Sequence, residues 1–214
     1  MKAKNIIGAG LCSILLATSP IVSGQQAKAD PQKKLEWIAD SPYIGPDGNY
    51  SITISPTVSR FFRPTHVAQQ GGYRDAYPPM PTILPGVLII ENVTTPKSVD
   101  EFYQQYKDVY VNILTNSISK SLAPGQKVQS IDDKPMKNLL VDNHPAIQGD
   151  IRFRIIDVYG NKVDKTLEYK LLITLAQGKN SLYGFTYNGL SMPGADELYA
   201  KNYNSIIRRF HALK

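Results

Sequence analysis

Apolar residues recur along this chain with two periods, and the longer period marks two helices. Val99, Phe102, Tyr103, Tyr106, Val109, Tyr110, Ile113 and Leu114 return at intervals of three and four. That spacing gathers them into one stripe over about five helical turns. Ser98 stands three residues before Glu101, the capping-box spacing that satisfies orphan backbone donors. Pro124-Gly125 forbids any continuation. A second helix is predicted from Ala195 to Ala212, with Leu198, Tyr199, Tyr203, Ile206, Ile207 and Phe210 on one face. Asp196 and Glu197 open it, and Arg208, Arg209 and His211 close it, charges that suit the helix dipole.

The shorter period marks strands. Tyr50 to Ile54 alternates and is stopped by Pro56. Gly86 to Val93 is apolar on both faces, which suggests a central position. Lys127–Ile131 and Met136–Val141 are short strands, and Asp142-Asn143-His144-Pro145 is a turn. Ile151 to Ile155 alternates cleanly, as do Leu167, Tyr169, Leu171, Ile173 and Leu175. Gly178-Lys179-Asn180 turns the chain into Tyr183, Phe185 and Tyr187. The two central runs are expected to pair antiparallel across Tyr159-Gly160-Asn161-Lys162. Matched apolar faces allow only registers two residues apart, because a one-residue slip flips every side chain. The expected register sets Arg152 opposite Glu168 and Asp150 opposite Lys170, and avoids Arg152 against Lys170. With no βαβα alternation, the economical arrangement is α+β: an antiparallel sheet packed by helices.

The N-terminus has the parts of a secretory signal. Lys2 and Lys4 precede the apolar run Ile6–Ala17, and cleavage fits after Gly24 or Ala29. The run falls short of the roughly 20 residues that span a bilayer, so a cleaved signal over residues 1–29 is preferred to an uncleaved anchor. Residues 30–48 read as an arm, and 49–214 as one domain. The expected location is exported, periplasmic or secreted.

Removing residues 1–29 takes three lysines and no acid from a formal charge of +6. Lys33-Lys34 and Arg208-Arg209 are too short to form the basic face of a nucleic-acid binder. Cys12 lies inside the signal, so the remaining chain forms no disulfide and no thiolate site. The roughly 185 residues left suffice for a core without staples.

Chemistry is sparse. His66, His144 and His211 lack metal-ligand spacing, G-x-S-x-G is absent, and Gly71-Gly72 lacks the Lys-Ser/Thr of a phosphate loop. Asp132-Asp133 and Asp142 lack the EF-hand spacing. No catalytic residue, metal or cofactor is expected. Residues 59–85 differ in kind. Pro64, Pro78, Pro79, Pro81 and Pro85 argue for a long loop, and it carries Arg60, Phe61, Phe62, Arg63, His66, Tyr73, Arg74 and Tyr77. Arginine and aromatics dominate protein interfaces. The aromatics could instead tuck the loop onto the sheet. Arg60, Arg63, His66, Tyr73, Arg74 and Tyr77 are the candidate contact residues.

One resemblance covers roughly residues 49–213. Val141-Asp142-Asn143-His144-Pro145-Ala146 leads into a long strand, then Leu182-Tyr183-Gly184-Phe185-Thr186-Tyr187, then a helix ending Ile206-Ile207-Arg208-Arg209-Phe210. The phrase resembles the PsbP/DcrB/Mog1 superfamily. That likeness implies an α/β/α sandwich around an antiparallel sheet, in exported proteins or extrinsic photosystem subunits mostly without an active site. The long loop 59–85 departs from it. The expected function is therefore a non-enzymatic exported binding or assembly module acting on a protein or cell-envelope partner. The alternatives are an extracytoplasmic hydrolase with an unrecognised site and a lumenal photosystem subunit.

Overall fold

The computed structural model describes residues 42–53, 63–69, 72–80, 83–93, 98–132, 134–163, 168–178, 181–191 and 194–213. The predicted signal, most of the arm, and Arg60 lie outside them.

The described chain forms strands β1 (Pro42–Ile44), β2 (Tyr50–Thr53), β3 (Thr65–Gln69), β4 (Gly72–Tyr77) and β5 (Val87–Val93). Helix α1 (Val99–Ser119) follows, then β6 (Lys127–Ile131), β7 (Lys137–Val141), β8 (His144–Ile156), β9 (Glu168–Gln177) and β10 (Leu182–Ser191). Helix α2 (Asp196–Arg208) and the short β11 (His211–Ala212) end the chain. The main sheet has eight strands in the order β3-β4-β5-β10-β9-β8-β6, with β7 also on β8. Strand β8 is long enough for β7 and β6 to share one edge of it while β9 takes the other. All of these ladders are antiparallel. β1, β2 and β11 form a separate three-stranded sheet.

Strand alternation splits the core in two. Ile151, Phe153, Leu171, Ile173, Leu175 and Leu182 meet Val99, Tyr103, Tyr106, Tyr110 and Ile118 of α1. Leu172, Ala176, Tyr183, Phe185 and Tyr187 meet Tyr203, Ile206 and Ile207 of α2, with Tyr50 and Ile52 of β2 beside them. The result is an α/β/α sandwich, as expected. Phe153, Phe185 and Phe210 are fully buried, each contributing about 1.5–3 kcal/mol of transfer free energy. The sheet leaves holes for the α1 tyrosines: a Cβ on Gly149 would strike the Tyr103 hydroxyl, and one on Gly184 the Tyr106 hydroxyl. Ser98 caps α1, its hydroxyl accepting from the Glu101 N–H at 3.4 Å. Tyr203 ties α2 to the sheet by donating to the Phe185 carbonyl at 2.9 Å.

Several expectations need correction. The segment 59–85 contains a hairpin, β3–β4, that extends the main sheet. Its prolines bound the strands and do not interrupt them: Pro64 precedes β3, and Pro78-Pro79 follow β4. The folded domain begins before residue 49, since β1 pairs with β2. The second helix stops at Arg208. Phe210 then turns into the core, and the backbone of His211 and Ala212 pairs with β2. The turn after β7 is two residues, Asp142 and Asn143 at φ 51° and 65°, and His144 already belongs to β8. Two positive φ values are what a tight type I′ hairpin requires.

The β8–β9 pairing has the expected parity, with Ile151 opposite Leu171, but a different register: Arg152 lies opposite Lys170. Counter-charge comes from elsewhere. Asp150, diagonal to Lys170 on the same face, sits 3.5 Å from its ammonium, and Lys134 lies 2.6 Å from the same carboxylate. Directly opposite charges alone favour the other register, but diagonal neighbours also interact.

Candidate functional site: a histidine–carboxylate–tyrosine clasp under the outer hairpin

Five of the six candidate contact residues fall in the described chain, and strand alternation divides them. Tyr73 and Tyr77 point with Asp75 toward the α2 side and are buried, while Arg74 points to the α1 side. There Arg74 Nε lies 4.0 Å from Glu91, which accepts a 2.7 Å hydrogen bond from Tyr110. The candidate contact residues are therefore split over two faces of one strand, and Tyr73 and Tyr77 tuck into the core, the alternative that the sequence left open. Residues i and i+1 of a strand cannot share a face.

His66 of β3 lies opposite Asp75 of β4. Its Nδ1 is 2.5 Å from Asp75 Oδ1, and its Nε2 is 2.8 Å from Asp47 in the turn between β1 and β2. Tyr50 of β2 donates to the other Asp75 oxygen at 2.8 Å, and the Tyr77 hydroxyl lies 2.5 Å from that of Tyr50. Asp75 is 1% exposed. A buried carboxylate persists only where partners meet its lone pairs, and here both oxygens have one. Burial, then Tyr77 and the Asp75 carboxylate, push the Tyr50 hydroxyl far above its ordinary pKa. It stays protonated and donates. Burial dominates at Tyr77 as well, against the opposing hydrogen bond to Tyr50. Rings complete the clasp: Tyr50 stacks on Tyr73 at 5.6 Å and on Phe210 at 5.7 Å, and Tyr43 meets Tyr77 edge-on at 5.9 Å. The clasp joins the outer hairpin, the small sheet and Phe210 beyond the end of α2.

A histidine beside carboxylates is the feature that would favour a hydrolase. Both nitrogens of this ring face carboxylate oxygens, which only accept. Neither nitrogen faces a nucleophile's hydroxyl. Among the described residues no serine hydroxyl bonds a histidine: Ser181 accepts from Asn92 at 2.8 Å and Ser191 donates to Asp196 at 2.6 Å. Asp132 pairs with Lys107 at 2.7 Å, and Asp142 holds His211 and the Ala212 N–H. Among the described residues no group of three or more histidine, cysteine or acidic side chains is arranged to hold a metal ion.

Asp75, Asp47 and Tyr50 were not among the sequence candidates. The signal was present in Tyr73, Asp75 and Tyr77, which alternate as one face of a strand, but the flanking prolines argued for a loop. Asp47 looked like a turn residue and nothing more.

No family model matches the sequence, and no curated relative does. Solved structures do resemble the fold. Cyanobacterial PsbP (CyanoP) from Synechocystis sp. PCC 6803 aligns with a TM-score of 0.51 at 11% identity, over 88% of this chain and 98% of that one. The Ran-binding protein Mog1p of Saccharomyces cerevisiae aligns with a TM-score of 0.50 at 11% identity, over 82% and 96%. The chain has the PsbP/Mog1 fold. At this identity the likeness fixes the PsbP/Mog1 architecture and leaves function to the site itself.

Proposed function

We propose that this protein is a non-enzymatic exported binding or assembly module, contacting a protein or cell-envelope partner through the outer surface of β3. The carrying observation is a rigidly supported terminal strand. Four of the five β3 residues are exposed, Val67 at 42% among them, while His66 anchors the strand to the buried Asp75 beneath. Arg63, exposed just before β3, adds a cationic planar group of the kind interfaces favour. Mog1p, which shares the fold, is described as Ran-binding, so the architecture is compatible with a protein partner. The N-terminal lysines, apolar run and small-residue sites support export.

Two measurements test this reading. Intact mass of the protein recovered from the envelope fraction should begin after Gly24 or Ala29; a chain retaining residues 1–20 refutes export. Capture of a partner from that fraction should be lost in the double variant Arg63→Ala/Val67→Asp with thermal stability unchanged, since exposed substitutions usually stay within about 0.5 kcal/mol. Undiminished capture by the double variant would exclude β3 as the contact surface.

A further inference from the structure

Strand alternation assembles a basic surface that no charge run in the sequence announces. Arg152 and Arg154 of β8 share a face, because residues two apart on a strand point the same way. Lys170 lies opposite Arg152, Gln129 opposite Arg154, and Lys127 and Lys162 both lie opposite Ile156. Directly paired residues share a face as well, so these side chains all stand on one side of the sheet. Lys134 joins them through Asp150 at 2.6 Å. Among the described residues on this face the acids are Asp150 and Glu168, and both are engaged: Asp150 with Lys134 and Lys170, Glu168 with Lys162 at 2.7 Å. Arg154 donates to the neutral Gln129 at 2.7 Å, and Lys127 is exposed. The face is cationic.

The β8–β9 hairpin that carries it ends in an apolar tip. Beyond the last pair, Ile156 with Lys162, the chain turns through Asp157, Val158, Tyr159 and Gly160. Val158 is 68% exposed and Tyr159 87%. The turn is braced from within: the Asp157 carboxylate accepts from the N–H of Tyr159 at 2.9 Å and of Asn161 at 2.8 Å, and the Gly160 N–H donates to the Asp157 carbonyl at 3.1 Å. The one acid of the turn is thus occupied by the turn itself. Single exposed hydrophobics are ordinary; an adjacent pair on a braced tip, set beside a basic face, is not.

We infer that this face and its tip dock the protein on an anionic lipid bilayer. The order of the groups favours that occupant. A soluble polyanion would engage the cations and leave the tip unused. A bilayer presents anionic headgroups outside and hydrocarbon beneath, so basic side chains set back from an apolar tip match it layer for layer. Tyrosine, with an apolar ring and a polar hydroxyl, suits the boundary between those layers. Basic charge and inserted apolar surface reinforce each other in such binding. Strands β3 and β6 lie at opposite ends of the main sheet, so this surface is separate from that of β3.

The test is co-sedimentation of the full chain with vesicles of phosphatidylcholine alone and of equal parts phosphatidylcholine and phosphatidylglycerol. Binding should be tighter to the anionic vesicles, and added sodium chloride should erase the difference by screening. Lys127→Glu should weaken anionic-vesicle binding about twentyfold, since each basic residue near such a surface contributes about fivefold and a reversal counts about twice. Val158→Ser/Tyr159→Ser should weaken it about tenfold through lost apolar burial. These positions are exposed, so thermal midpoints should stay put. Arg63→Ala/Val67→Asp should bind vesicles as the parent does, which keeps failure here distinct from failure of the β3 surface. Equal binding to both vesicle types, or undiminished binding by Lys127→Glu, would overturn the inference. Undiminished binding by the tip variant would overturn it too, in favour of a surface for soluble polyanions.

Discussion

Replacing His66 by alanine tests whether the clasp holds the outer hairpin in place. Asp75 is 1% exposed and accepts from His66 at one oxygen and Tyr50 at the other. The substitution leaves the Asp75 carboxylate buried without its partner at Oδ1. Breaking a buried pair from one side costs about 3–5 kcal/mol. The His66 side chain is 24% exposed, so water can reach part of the vacated space and the low end, about 3 kcal/mol, applies. For a chain of this size each kcal/mol moves Tm by about 2–4 °C, so the midpoint should fall by about 6–12 °C. Urea and thermal unfolding of the parent, His66→Ala, Asp75→Ala and the double variant complete a cycle. The double variant should be more stable than additivity requires, by about 1.5–3 kcal/mol, because neither partner then remains stranded. A His66→Ala cost below about 1 kcal/mol, or single effects that add within about 0.5 kcal/mol, would show that the contact contributes nothing to the hairpin's hold.

Two further substitutions probe other charges. Lys170 is 3% exposed and relies on Asp150; Asp150→Ala should cost about 3 kcal/mol in urea unfolding, whereas Lys170→Met should be neutral or stabilising, since apolar replacements of buried ions often are. Equal losses from both would contradict that account. At Asp142, burial acts to raise the carboxyl pKa but is outweighed by hydrogen bonds from the Ala212 N–H and His211, so the net shift is downward. Folding therefore favours the ionised form, and its contribution is full above the ordinary carboxyl pKa of about 3.9 and lost as pH falls through the lower folded value. The stability gap between parent and Asp142→Asn should accordingly shrink below about pH 4, and an undiminished gap at pH 2.5 would refute the assigned cause.

Elements with one strong local period were legible in the chain itself. The stripe Tyr103, Tyr106, Tyr110 and its Ser98 cap marked α1, and Ile151, Phe153, Leu171 and Ile173 marked the face that β8 and β9 turn toward it. The β3–β4 hairpin was hidden because proline is a strong local signal and its flanking position looks the same as interruption. The C-terminal residues continued a helical pattern, so nothing local revealed that Phe210 would leave it. The clasp was illegible for a different reason: His66, Asp75, Asp47 and Tyr50 come from three strands and a turn, and no spacing in the chain encodes their meeting.

Sequence by itself determined the apolar faces, the Ser98 cap and the parity of the central strands, because side-chain periodicity follows from backbone geometry alone. Tertiary structure decided the register of β8 against β9, where the Asp150 carboxylate offsets the Arg152–Lys170 opposition. It also decided which interface-like residues are core. In a one-dimensional reading Tyr73 and Tyr77 suit either a contact surface or packing onto the sheet. Only packing against Tyr50 and Phe210 places them inside, and it does so because burying their rings is worth more than the hydrogen bonds their hydroxyls give up to water.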